Sequence, residues 1–239
     1  MPYELKSAEL IKERERLHSR LMNSVSHDLK TPLACIIGSL EIYQRTKDKL
    51  SEEKKSLLLN TALQEAYRLD GFITNILDMA KLESGAVIIK KEHCSIDYLL
   101  EDCKIRLAKP LCNSTVHINT NDTHKTLHTD PFLLMRAICI LLDNAAKYGP
   151  PNPTIHINYK NVDEHITLQI EDNGTGVPHE KLKGLFSKDS RLRIQDRTQS
   201  GTGLGLSICR EIMRLLDGTI SVANRIDGKG AIFTLNFAA

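Results

Sequence analysis
From Glu4 to Tyr43 the chain is rich in helix formers, and Leu10, Leu17, Leu21, Val25, Leu29, Leu33, Ile36, Ile37 and Leu40 recur at spacings near three and four. Side chains at those spacings share one face of an α-helix, so the pattern predicts one long amphipathic helix. The polar run Arg45-Thr46-Lys47-Asp48-Lys49 interrupts it, and Ser51-Glu52-Glu53-Lys54 reads as an N-cap with an acidic first turn. A second helix follows to about Lys81. Along it Leu59, Ala62, Ala66, Leu69, Ile73, Ile76 and Ala80 step alternately by three and four, the register of a coiled-coil seam. Two long helices joined by a short loop make an antiparallel hairpin. A lone hairpin leaves apolar surface open, so two copies are expected to pair as a homodimer with a four-helix bundle.

Glu83-Ser84-Gly85 supplies a glycine stop, which divides the chain into residues 1–84 and 85–239. Beyond it the period changes. Ala86 to Lys90 and Val116 to Asn119 read as strands, with Ile96 to Lys109 as a helix between them. Pro131 to Tyr148 reads as a helix, and Thr154 to Asn161 and His165 to Glu171 alternate apolar and polar residues as antiparallel strands. Leu204 to Leu216 is helical, and Thr219 to Asn224 with Ala231 to Phe237 form a closing hairpin. Helices and strands interleave without regular βαβ alternation. The predicted class is therefore α+β: a helical hairpin followed by an α/β sandwich with a mixed sheet.

Composition narrows the function classes. The 32 Lys+Arg against 30 Asp+Glu leave a net charge of +2, and aromatic residues are 5% with no Trp. There is neither a basic surplus nor a stacking platform for nucleic acid. No apolar run reaches the roughly 20 residues of a membrane span, and the N-terminus lacks the apolar core of a secretion signal, so the chain reads as cytoplasmic, with any upstream sensor or membrane segment absent from it. The six cysteines form no CxxC pair and read as reduced thiols. His124 and His128 are four apart in a segment that looks like a turn and short strand, a poor frame for zinc.

Four clusters carry chemistry. In Ser26-His27-Asp28-Leu29-Lys30-Thr31-Pro32-Leu33 a mostly neutral imidazole offers a lone pair for attack on phosphorus, Asp28 can take the proton of the other ring nitrogen, and Thr31 follows one turn later. Pro32 gives no N–H to the carbonyl of Asp28, which favours a bend there. In Leu142-Asp143-Asn144-Ala145-Ala146-Lys147-Tyr148, Asn144 offers a neutral oxygen suited to Mg²⁺, Lys147 a cation for phosphate and Tyr148 a ring for a nucleotide. In Glu171-Asp172-Asn173-Gly174-Thr175-Gly176, the glycines permit close backbone approach and Asp172 can accept from an exocyclic amine. Gly201-Thr202-Gly203-Leu204-Gly205-Leu206-Ser207 runs into a helix whose free N–H groups suit phosphate. Between the last two clusters, Phe186 to Ser200 reads as a lid, with Arg191 in reach of phosphate.

In this order and spacing the four clusters resemble the sensor histidine kinases of two-component signalling, from about Arg20 to the C-terminus. The stretches Ser207 to Ile212 and Gly218 to Ile220 are similar to the potassium-responsive branch. The resemblance implies a dimerisation and phosphotransfer hairpin followed by a Bergerat (GHKL-type) ATP-binding domain. It makes His27 the phosphoacceptor, Asp28 its acidic helper and Thr31 the residue for dephosphorylating a response regulator. Asn144 would hold Mg²⁺, Lys147 and Arg191 phosphates, Asp172 the adenine of ATP, and Gly201, Thr202, Gly203, Leu204 and Gly205 the triphosphate. Two positions depart from the family pattern: Ile140 stands where a second asparagine is usual, and Asp189 where the lid usually has a second phenylalanine. The first is expected to weaken Mg²⁺ and ATP handling and the second to loosen the lid. The leading expectation is autophosphorylation on His27 and transfer to a regulator aspartate. The alternative is a weakly active dimeric module acting mainly as regulator-binding partner or phosphatase.

Overall fold
Helix α1 runs unbroken through Pro32, from residue 25 to 46, in the computed structural model, which describes residues 25–120, 126–162, 165–186, 204–226 and 228–238. After a short turn, helix α2 (Glu52–Glu83) starts as the sequence predicts, the amide of Lys54 donating to Ser51 Oγ at 3.4 Å. It ends at Gly85, whose φ of +67° gives the left-handed stop that glycine adopts without strain. The chain divides into two units, Met1–Ile76 and Leu77–Ala239, the boundary falling inside α2.

In the first unit α1 turns Leu29, Pro32, Ile36, Ser39 and Tyr43 inward, and α2 turns Leu58, Ala62, Leu69, Phe72 and Ile76 inward, all buried or half-buried. This corrects the seam read from sequence. Ala62, Leu69 and Ile76 face in, whereas Leu59, Ala66 and Ile73 lie exposed beside Leu63 and Tyr67. The physical reason is that the pattern merged two stripes of one helix, one that the hairpin buries itself and one that it leaves open. Leu33, Ile37 and Leu40 form the matching exposed stripe on α1.

The second unit continues with β1 (Glu92–Ser95), α3 (Ile96–Arg106), β2 (Thr115–Thr120), β3 (Thr126–Thr129), α4 (Pro131–Tyr148), β4 (Thr154–Val162), β5 (His165–Asp172), the single turn α5 (His179–Leu182), α6 (Gly205–Leu215), β6 (Thr219–Asn224) and β7 (Ala231–Ala238). The main sheet has the order β2-β4-β5-β7-β6, with β2 and β4 parallel and the other neighbours antiparallel, as a mixed sheet requires. Alternate residues Ile155, Ile157 and Tyr159, Ile166, Leu168 and Ile170, and Phe233, Leu235 and Phe237 are buried on one face. Helix α4 packs on that face and against α3 and α6. It is therefore apolar on more than one side, burying Leu134, Ala137, Ile138, Leu141, Leu142 and Ala145. Each such leucine or isoleucine contributes about 1.5–3 kcal/mol. Its N-cap, Asp130, is only 5% exposed and accepts from the amides of Phe132 and Leu133, both at 3.1 Å, and from Lys90 at 2.9 Å.

Two further expectations change. Ala86 to Lys90 is not a strand: among the described residues no strand pairs with it, Ile88 is 80% exposed, and pairing begins at Glu92 against Thr129. Helix α3 ends at Arg106 rather than Lys109, because the amide of Ala108 bonds to Ile105 in a tighter turn and Pro110 has no N–H to continue the ladder. Among the described residues no helix is long and apolar enough to cross a membrane.

Candidate functional site
His27 and Asp28 stand on the outer side of α1, their side chains 65% and 44% exposed, with His27 Nδ1 3.5 Å from Asp28 Oδ1. A carboxylate beside Nδ1 favours the proton there and leaves the Nε2 lone pair free. One turn on, Thr31 Oγ1 donates to the carbonyl of His27 at 3.2 Å. That bond uses the hydroxyl hydrogen and leaves its oxygen able to accept from a water. Pro32 is buried and leaves the carbonyl of Asp28 without its helical donor.

The second set of residues gathers around α4. Asn144 is half-buried near the end of the helix, and Lys147 donates through Nζ to Asp143 Oδ2 one turn back. Tyr148 is partly shielded, and this burial, with the charge of Asp143, raises its phenol pKa. Its carbonyl meets the loop after β5: a Cβ on Gly174 would lie 2.6 Å from Tyr148 O, so only glycine permits that approach.

Asp172 ends β5 at 6% exposure, its Oδ1 accepting from the amides of Gly174 at 2.8 Å and Ala231 at 3.3 Å. Burial pushes its carboxyl pKa up, opposed by those two bonds and by the charge of Arg225. Arg225 in turn pairs with Glu171 at 2.7 Å. Behind Asp172, Gly230 has φ of +116° and a Cβ there would fall 1.9 Å from Asp172 O, so the turn before β7 demands glycine. Gly176 lies against Asn224, whose side chain clamps Val177 through both its N–H and its carbonyl at 2.7 Å.

The third element is the start of α6. Leu204 is buried, its carbonyl accepting from Ser207 Oγ at 2.8 Å, and as the N-cap residue its own side chain makes no bond to the first amides of the helix. A Cβ on Gly205 would sit 2.9 Å from Ile140 Cγ2, which brings this end of α6 against α4. The structure thus groups Asn144, Lys147, Tyr148, Asp172, Gly174, Gly176, Leu204 and Gly205 in the second unit, and His27, Asp28 and Thr31 in the first. Gly201, Thr202, Gly203, Arg191 and Asp189 lie outside the described residues, as does nearly all of the expected lid.

Sequence reasoning did not single out Asp143, Asn224, Gly230 or the Glu171–Arg225 pair. Asp143 was within reach, since a carboxylate four residues before a lysine on a helix marks a pair. Gly230 shows in sequence only as part of the Asp227-Gly228-Lys229-Gly230 turn of the closing hairpin, and neither it nor Asn224 reveals locally what it holds, because that partner is distant in sequence.

Comparison with known proteins identifies the domains of the chain. Residues 17–85 match the His Kinase A (phospho-acceptor) domain, and residues 129–239 match the histidine kinase-, DNA gyrase B-, and HSP90-like ATPase family. The chain belongs to the sensor histidine kinases of two-component signalling. Similar curated relatives are the sensor protein KdpD of Clostridium acetobutylicum, 32% identical over 94% of this chain, and that of Escherichia coli, 32% identical over 95%. The chain spans about a quarter of their length, 25% in each case. Among solved structures, the Acinetobacter baumannii histidine kinase AdeS superposes with a TM-score of 0.69 at 23% identity, covering 89% of this chain and 97% of that one. The histidine kinase ThkA, solved in complex with the response regulator TrrA, gives 0.70 at 21% identity, covering 98% of this chain and 66% of that one. These likenesses carry the fold, and the second unit is a GHKL-type ATPase domain.

Proposed function
We propose that the chain is the catalytic part of a sensor kinase that phosphorylates His27 from ATP and passes the phosphoryl group to an aspartate of a response regulator, on the cytoplasmic side where ATP is available. The observation that carries this reading is the exposed His27–Asp28 pair, an imidazole oriented through Nδ1 on the solvent side of a helix. Nε2 attacks the γ-phosphorus, ADP leaves, and Asp28 holds the Nδ1 proton as the ring becomes cationic. Such a transfer depends on positioning and charge neutralisation.

The second unit supports the donor side. Both backbone bonds to Asp172 fall on Oδ1, which leaves Oδ2 as acceptor for the adenine amine. Lys147 exchanges Asp143 for phosphate when the nucleotide enters. Leu204 and Gly205 open α6 and would offer its first amides to the triphosphate, continuing the sequence run from Gly201, Thr202 and Gly203, and Arg191 would add a cation. Among the described residues no cluster of three or more His, Cys, Asp or Glu could hold a metal. A single amide oxygen on Asn144 fits Mg²⁺, which keeps several waters and takes further oxygens from phosphate. Bound there, Mg²⁺ would neutralise charge on the phosphates.

On the partner side, Thr31 could align a water for removing phosphate from the regulator, and the exposed stripes of α1 and α2 fit a homodimer. In the test, the chain is incubated with Mg²⁺ and ATP labelled on the γ-phosphate. Acid-labile label is expected, absent in His27→Gln; label persisting in that variant would overturn the assignment. A second reading, a weakly active module that mainly binds or dephosphorylates the regulator, is favoured by Ile140, which is 7% exposed against Gly205 and offers no oxygen at that turn. Undetectable ATP binding at millimolar nucleotide would select it.

A further inference from the structure
The main sheet ends in β2 on one side and β6 on the other, and β6 carries none of the devices that blunt an open edge. Thr219–Asn224 has no charged residue and no proline, and its register against β7 runs through every pair without a bulge. The direction of its backbone groups follows from the hairpin. Just beyond the strand, the amide of Arg225 donates to the carbonyl of Gly230 at 3.1 Å, and these two residues continue the register of β6 with β7 as a hydrogen-bonded pair. Alternation along an antiparallel ladder then turns the N–H and C=O of Thr219, Ser221 and Ala223 toward β7, and those of Ile220, Val222 and Asn224 outward. Among the described residues β7 is the only strand that pairs with β6.

Beside this edge lies a groove of about 490 Å³, with Gly218, Thr219 and Ile220 on one wall and Arg210, Glu211 and Arg214 of α6 on the other. Arg214 donates through Nε to Glu211 at 2.9 Å, and Asp217, just past the helix, meets Lys91 at 3.7 Å. Arg210 is therefore the unbalanced charge of the groove among the described residues. Ile220 and Val222 are half-buried on the face that α6 covers, whereas Thr219, Ser221 and Ala223 are exposed on the other. A strand added along β6 alternates in the same way, so every second side chain enters the groove.

We propose that the β6 edge and this groove dock an extended acidic segment of a partner protein. The segment pairs through the outward backbone groups of Ile220 and Val222 and lays its carboxylates against Arg210 and Arg214. Backbone pairing supplies affinity for any extended chain, and the arginines select the sequence: one carboxylate bonds to Arg210, another replaces Glu211 at Arg214. A basic segment would set its charges against two guanidinium groups. A second copy of this chain fits less well, because neither of its edge strands, Thr115–Thr120 and Thr219–Asn224, carries a carboxylate. The surface lies within the second unit and uses none of the residues assigned to the nucleotide.

In the test the full chain is titrated calorimetrically with an acetylated octapeptide alternating valine and glutamate, and backbone amide exchange is followed on the complex. Saturable binding is expected, with exchange at Ile220 and Val222 slowed about tenfold or more. Lysine in place of glutamate in the peptide, or Arg210→Glu with Arg214→Glu in the chain, should weaken binding about tenfold or more, with ATP affinity unchanged. Two further peptides, one methylated on every valine nitrogen and one on every glutamate nitrogen, keep all charges; one of the two should lose binding, because its strand hydrogen bonds are gone. No binding at about 1 mM octapeptide would overturn the proposal. Equal affinity for the lysine peptide, or for both methylated peptides, would do the same. So would protection of Ile220 and Val222 that rises with chain concentration in the absence of peptide, which marks a second copy as the occupant. Should the double-arginine variant fail to fold, the control peptides decide with the native chain.

Discussion
Asp28 and Asp172 are proposed to serve one transfer, yet their surroundings have nothing in common. Asp28 is 44% exposed, on a helix that leaves Leu33, Ile37 and Leu40 open beside it. Asp172 is 6% exposed, held by two amides and by a turn that tolerates only glycine at position 230. The hairpin carries its chemistry on a surface that is not finished by its own residues, while the α/β unit has buried its sheet face under helices. Substitutions on the outer side of the hairpin should therefore change association and activity without unfolding it. In the α/β unit, the atoms proposed for ligand recognition also hold the fold.

The largest effect that sharpens this contrast is expected from His27→Gln, which should remove acid-labile label altogether while leaving the thermal midpoint and ATP affinity unchanged. A lowered midpoint would mean that the exposed imidazole is structural, and the contrast would fail. Next is the double change Ile37→Glu with Leu40→Glu. Placing charges where two copies are proposed to meet should weaken dimerisation by about 100-fold or more, read by sedimentation at micromolar concentration; a wild-type chain that is already monomeric would sink the dimer.

Third is Asp172→Asn, which keeps an acceptor for Gly174 and Ala231 but removes the charge. ATP should bind about tenfold more weakly or worse. Stability should move the other way. Burial raises Asp172 above its ordinary 3.8, so the native state holds this proton where the unfolded chain has lost it. That contribution is fully present below 3.8 and is lost as pH rises through the folded value. The variant should thus gain most over wild type at neutral pH, the difference shrinking toward pH 4; a difference that grows in acid would contradict the burial argument. The smallest effect is expected from Asp130→Ala, which removes a helix cap at a cost of about 1–2 kcal/mol in chemical denaturation. Asp130→Asn should recover most of it, and ATP affinity per folded molecule should be unaffected.

Much of the second unit was legible because its signals are local. Helix α4 could be read to the residue from Asp130 and Pro131 at one end and Gly149 at the other. Likewise β4 and β5 followed from strict alternation. What failed depends on partners. Ala86 to Lys90 has strand composition but no strand beside it among the described residues, and the α2 seam merged a stripe that α1 covers with one that it does not. The site shows the same division. Motif residues on α4 and at the end of β5 were found, whereas Asn224 and Gly230, which hold that strand end from the far side of the sheet, became visible only when β6 and β7 were in place.

Helix α2 runs without interruption past Ile76, where the first unit ends, and its Asp78 meets Arg136 of α4 through Nε at 2.8 Å and Nη2 at 2.7 Å. For anyone excising the nucleotide-binding half, this decides where to cut. A fragment begun at Gly85, the point the helix stop recommends, discards Asp78 and with it a two-point ion pair to the very helix that carries Asn144 and Lys147. One begun at Leu77 keeps that pair together with the buried Met79 and Leu82, and should be the more soluble and better behaved of the two in nucleotide titrations.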